Sequence, residues 1–143
     1  MFMGEYHHNI DDKNRLVIPS NYRSSLGETF VITRGLEKCL YVYTLTEWQK
    51  LVDKLATLPF TKKDARVVIR SLFSAAANCN LDKQGRINIT SQQLIHAGID
   101  KECVIIGAND RIEIWSKENW NNFNEEYSET LEDIAEHLFN EVE

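Results

Sequence analysis

The chain has 143 residues, a 43% hydrophobic content and a formal net charge of −6. That is the size of one ordinary domain or two very small ones; the longest apolar runs are only a few residues, as in Val67-Val68-Ile69, against about 20 for a membrane-spanning helix. Three cysteines (Cys39, Cys79, Cys103) with no C-x-x-C spacing argue against a disulfide framework and a cysteine zinc site.

In chain order, a first strand is expected over residues 5–10 and a turn over 11–15. A second strand follows over 15–18, where Leu16 and Ile18 alternate with other residues. A short helix over 20–26 is stopped by Gly27. Strands over 29–33 and 40–43 flank a loop in which Gly35 is expected to take a positive φ. Thr44-x-x-Glu47 reads as a capping box, and Trp48, Leu51, Val52 and Leu55 then share one helical face up to Pro59. Thr61-x-x-Asp64 is a weaker start signal for a helix carrying Ala65, Val68, Ile69, Leu72, Phe73 and Ala76. The same order then returns: strands over 77–81 and 86–89, a short helix over 91–97 stopped by Gly98, and strands over 102–106 and 111–115. Ser116 opens one last helix with Trp120, Phe123, Tyr127, Ile134 and Leu138 on its apolar side.

This return is an internal repeat. Asp11, Arg15 and Gly27 match Asp82, Arg86 and Gly98 at an offset of 71; after one inserted residue, Gly35, Leu40, Val42, Tyr43, Thr44 and Trp48 match Gly107, Ile112, Ile114, Trp115, Ser116 and Trp120 at 72. Two copies are too few for a solenoid, so a pseudo-symmetric α+β pair sharing one core is expected. Charge is unevenly spread. From Lys117 onward one lysine faces nine acids, a net −8, while residues 1–116 carry a net +2. A nearly neutral body therefore precedes an acidic end, and any polyanion site must be a local cluster.

D-x-x-x-R carries the chemistry, because it occurs twice. Asp in a turn hydrogen-bonds backbone amides and can clamp a guanidinium, so that Arg15 or Arg86 loses less entropy on meeting a ligand. With Lys13 and Lys83 nearby, each turn offers a point charge and a planar fork, suited to phosphates and guanine edges. A single such motif reads as a turn ion pair; duplication at symmetric sites favours DNA. His7-His8 with Asp11 and Asp12 would suggest a metal, but neighbouring strand residues point to opposite faces and the second copy has Asn78-Cys79, so no metal is expected. No catalytic or cofactor motif occurs, and no enzyme activity or cofactor is expected. Cys39 and Cys103 read as small core residues, and Trp48 and Trp120 as staples fixing helices on the sheet.

MFMGEYHH, residues 11–18, Thr33-Arg34-Gly35-Leu36, Lys38-Cys39-Leu40, Glu47-Trp48, residues 81–86 and Ile112-Glu113-Ile114-Trp115-Ser116-Lys117 together resemble the MraZ family of bacterial transcriptional regulators, related to the AbrB/SpoVT group. The resemblance runs from Met1 to about Trp120. It implies two AbrB-like swapped-hairpin (looped-hinge) half-barrels, over 1–48 and 77–120, joined by connecting helices over 49–76 and followed by an acidic helical tail over 121–143. It also implies ring-shaped homo-oligomers, most simply of eight subunits, that bind short direct repeats in double-stranded DNA upstream of the division and cell-wall gene cluster, in the nucleoid of the cytoplasm. Asp11/Arg15 and Asp82/Arg86 are that family's signature and, with Lys13 and Lys83, the expected DNA surface. Two departures stand out. Asn14 replaces the usual glycine and, since Asn tolerates positive φ, should keep the turn; Thr90-Ser91-Gln92 replaces a proline and is expected to loosen the start of the second short helix. The leading reading is a sequence-specific DNA-binding regulator, with no membrane and no small-molecule substrate among its partners. The alternative is an antitoxin-like protein-interaction module using the acidic tail.

Overall fold

A computed structural model describes residues 1–142. The elements are β1 (Glu5–Asn9), β2 (Arg15–Val17), α1 (Ser20–Leu26), β3 (Thr29–Arg34), β4 (Leu40–Thr44), α2 (Leu45–Ala56) and α3 (Lys63–Ala75) in the first half. The second half repeats them as β5 (Ala77–Asn80), β6 (Arg86–Asn88), α4 (Ser91–Ala97), β7 (Glu102–Gly107), β8 (Ile112–Ser116), α5 (Lys117–Tyr127) and α6 (Leu131–Val142).

Six strands form one antiparallel sheet in the order β1-β7-β8-β4-β3-β5, and β2 pairs with β6 as a separate ribbon. The first strand of each half thus lies against the other half: β1 on β7 and β5 on β3. Strand alternation sends Phe30, Ile32, Leu40, Val42, Ile105, Ile112 and Ile114 to one sheet face. The ribbon closes over that face with Leu16, Ile18, Ile87 and Ile89, all buried. On the opposite face Tyr41, Tyr43, Val104 and Trp115 are covered by Trp48 and Leu51 of α2 and by Trp120 and Phe123 of α5. The tryptophans are therefore staples, as expected, with Trp48 on Tyr43 at 5.9 Å and Trp120 on Trp115 at 5.4 Å. Cys39 and Cys103 are buried core residues.

The ribbon holds its register because each buried Leu or Ile contributes roughly 1.5–3 kcal/mol. A slip by one residue would send Arg15 and Arg86 inward in place of Leu16 and Ile87.

Several local expectations need correction. Gly35 does not take a positive φ; its reason is space, since a Cβ there would lie 2.6 Å from Cys39 Sγ and 2.8 Å from Tyr41 Cε1. The ladders align Arg34, not Gly35, with Gly107: Arg34 faces Leu40 as Gly107 faces Ile112. The Thr44 hydroxyl accepts from Glu47 N–H, but the Glu47 carboxylate turns to Lys50, leaving half a capping box. Thr61 caps nothing, and α3 starts after Lys62 without a side-chain cap. Thr90 does not loosen α4: with Gln93 it makes a complete capping box. The final helix is two: α5 ends at Tyr127, where the Ser128 hydroxyl donates to the Glu125 carbonyl, and a new helix starts at Leu131.

Candidate nucleic-acid interface

The two D-x-x-x-R turns connect β1 to β2 and β5 to β6. In the first, Asp11 Oδ1 accepts from the N–H groups of Lys13 (3.0 Å) and Arg15 (2.8 Å), and Oδ2 accepts from Arg15 Nε at 2.8 Å. In the second, Asp82 Oδ1 accepts from the N–H groups of Gln84 and Arg86, both at 2.9 Å, and Oδ2 accepts from Arg86 Nε at 2.7 Å. The backbone closes each loop the same way, with Asp11 N–H donating to the Arg15 carbonyl and Asp82 N–H to the Arg86 carbonyl, both at 2.9 Å. The fourth residue must adopt a left-handed conformation: Asn14 has φ 60° and Gly85 φ 75°. The Asn that departs from the family pattern thus keeps the turn, because Asn and Gly are the residues that visit this region most readily.

The ribbon sets the turns side by side. Ile18 N–H donates to the Gly85 carbonyl and Ile89 N–H to the Asn14 carbonyl, each at 2.9 Å, so each turn's fourth residue is bonded to the other half. Arg86 Nη1 reaches across to within 3.9 Å of Asp11 Oδ2. Both aspartates hold their arginines through Nε, and Arg86 Nη1 adds the longer ion-pair contact across the two turns. The Arg15 backbone N–H holds the Asp11 carboxyl below its ordinary value; partial desolvation opposes this, and the Arg15 guanidinium and Lys13 N–H add to it. Asp82 is lowered in the same way, first by the Arg86 N–H. Both carboxylates are therefore committed to shaping the turn.

The lysines are not equivalent. Lys13 is the third residue of its turn and aligns with Gln84, whereas Lys83 is the second and aligns with Asp12. Both are exposed, but the first turn carries the exposed Asp12 where the second has a cation. The structure also adds Arg23 from α1. Its guanidinium packs against Gly85, and its Nε donates to the Ile18 carbonyl at 2.8 Å. The repeat conceals it, because the residue aligned with Arg23 is Leu94. The paired turns thus gather five cations (Lys13, Arg15, Arg23, Lys83, Arg86) against three carboxylates (Asp11, Asp12, Asp82). His7 is occupied by Glu5 at 2.7 Å, and among the described residues no three metal-type side chains converge.

A family model described as "MraZ protein, putative antitoxin-like" matches residues 1–71 and again 72–142. The chain belongs to the MraZ family. Each MraZ match holds one D-x-x-x-R turn, one short helix and four strands, and each continues into the longer helices, α2 with most of α3 or α5 with α6. Membership supports a regulator-like role rather than an enzymatic one. Among the described residues of this MraZ chain no helix is long and apolar enough to cross a membrane.

Proposed function

We propose that the protein is a sequence-specific DNA-binding transcriptional regulator, acting as a repressor through its paired turns. One observation carries this reading: two arginines, each clamped through Nε by its own aspartate and fixed in register by the β2–β6 ribbon, sit side by side across the two halves. Rigid, paired cations at a two-fold-like site suit a duplex, where phosphate contacts supply affinity and bidentate arginines read guanine. The exchange of β1 and β5 between halves supports the swapped-hairpin, AbrB-like description of the barrel.

One chain offers few phosphate contacts, and affinity grows with phosphates neutralised. A ring of copies on short direct repeats would raise effective concentration, by roughly 10²–10⁴ where spacing matches. On this reading those repeats lie upstream of the division and cell-wall cluster and the protein works in the nucleoid, as the family resemblance implies. The acidic end would repel non-specific DNA. A footprint of the purified protein on its own upstream region is the test. Protection of regularly spaced short repeats is expected; uniform or absent protection would contradict sequence-specific binding.

A second reading, a protein-interaction module, is favoured by the family description and by α6, whose Leu131, Leu138 and Phe139 are exposed. Capture of a protein partner there would survive Arg15→Ala/Arg86→Ala and fail in Leu138→Glu/Phe139→Glu, whereas DNA binding would show the opposite pattern.

A further inference from the structure

A cavity of about 200 Å³ lies at the seam between the two halves. Its walls are Arg34 at the end of β3, the segment from Ser74 to Ala77 where α3 runs into β5, and Thr90, Gln92, Gln93 and His96 around α4. No carboxylate lines it. Arg34 Nε is shut off from solvent and has no hydrogen-bond partner. Buried donors are nearly always satisfied, so an orphan calls for a reason. Arg111 shows how this chain otherwise treats a partly buried guanidinium: its Nε and Nη2 both meet Glu113, at 2.9 and 2.8 Å, and it lies over the Tyr41 ring.

The pseudo-symmetry supplies an internal comparison. The position aligned with Arg34 is Gly107, and the one aligned with Gln93 is Tyr22. There the Phe2–Met3 backbone lies directly against Gly107. The Tyr22 hydroxyl donates to the Met3 carbonyl at 2.7 Å, and Phe2 packs edge-on against Tyr22 at 5.5 Å. One half thus fills this space with backbone and aromatic packing. The fold does not require a cation or a cavity at the other.

We infer that the seam cavity binds a small oxyanion, a phosphate or carboxylate group, through the Arg34 fork. With Nε closed off inside the protein, it is the outer Nη1/Nη2 edge of the planar guanidinium that would take either group bidentately. Ser74 and Gln92 bring a hydroxyl and an amide to the same lining. Thr90 and Gln93 are committed to each other in the capping box, and the His96 ring is anchored on the Glu37 carbonyl at 3.0 Å, so these form fixed walls. The volume admits inorganic phosphate or a short carboxylic acid, below the roughly 300–1,000 Å³ of larger-ligand pockets. The ligand would bridge β3 of one half and α4 of the other, and α4 follows directly on the strand that carries Arg86.

The test follows the arginine Nε–H signals of the full chain by NMR during titration with inorganic phosphate and, separately, with succinate, at constant ionic strength. A saturable shift of the Arg34 signal is expected, one site per chain, and the anion that saturates it at lower concentration identifies the source. Arg34→Lys keeps the charge without the fork and should bind at least about tenfold more weakly. Arg34→Met should abolish the site, and Arg15→Ala/Arg86→Ala should leave it intact. No saturable Arg34 shift with either anion would overturn the inference. So would binding that persists in Arg34→Met and vanishes in Arg15→Ala/Arg86→Ala, since the anion would then sit on the turns. If Arg34→Met fails to fold, undiminished binding by a folded Arg34→Lys would overturn it equally.

Discussion

Gly85→Ala separates the backbone demand of the second turn from its packing. Gly85 has φ 75°, and an L-residue in the left-handed region costs about 1–2 kcal/mol. A Cβ there would also overlap the Arg23 guanidinium. Arg23 would have to move and release its 2.8 Å bond to the Ile18 carbonyl, at a further cost of about 0.5–1.5 kcal/mol. The two costs together come to about 1.5–3.5 kcal/mol, or roughly 5–10 °C in melting temperature for a chain of this size. Gly85→Asn isolates the second cost, because Asn occupies the matching position of the first turn at φ 60°; it should lose roughly 3 °C. The assay is thermal melting followed by circular dichroism, at one fixed protein concentration because any assembly makes melting concentration-dependent. Gly85→Ala melting within about 1 °C of wild type, or Gly85→Asn melting as low as Gly85→Ala, would refute the reasoning.

Lys83→Ala should weaken matched and scrambled repeats alike and flatten the log-affinity against log-salt slope by about 0.9 for each chain engaged; Arg86→Ala should instead remove about 1–3 kcal/mol of discrimination between them, and fluorescence anisotropy over a salt series reads both. The Asp11 and Asp82 carboxyls lie below the ordinary aspartate value of 3.8, so their contribution to the turns is complete above that value and is lost as pH falls through the lowered ones; carboxyl titration by NMR should show both ionising below 3.8, and ionisation at or above it would contradict the clamp. Thr90→Ala removes the hydroxyl that accepts from Gln93 N–H and should cost about 0.5–2 kcal/mol, read as a lower melting temperature; no loss would mean that Gln93 alone holds the start of α4.

Much of the site was legible because the repeat doubled its signal. Asp and Arg four apart, twice, at one offset, pointed to a clamp, and the structure draws both clamps with nearly the same distances. The alternation of Leu16/Ile18 and Ile87/Ile89 correctly marked the face buried by the ribbon. Alternation specifies a face but not a partner, so the exchange of β1 and β5 between halves did not follow from the residues. Arg23 was invisible for a different reason: a repeat highlights what is duplicated, and Arg23 has no counterpart. The break after α5 was hidden by spacing, since Tyr127, Leu131, Ile134 and Leu138 keep helical intervals across it and no Pro or Gly marks it. Gly35 was misread because glycine serves two needs, dihedral freedom and close approach, and the sequence does not distinguish them.

The most direct measurement is the affinity of Arg15→Ala/Arg86→Ala for DNA from the protein's own upstream region that carries the proposed repeats, beside wild type at the same salt concentration. Both aspartates remain in the double variant to hold the backbone of each turn through Oδ1, so circular dichroism and melting should stay close to wild type. Binding to the repeats should fall to the level of scrambled DNA. A folded double variant that still prefers the repeats as strongly as wild type would contradict the claim that the paired turns read DNA.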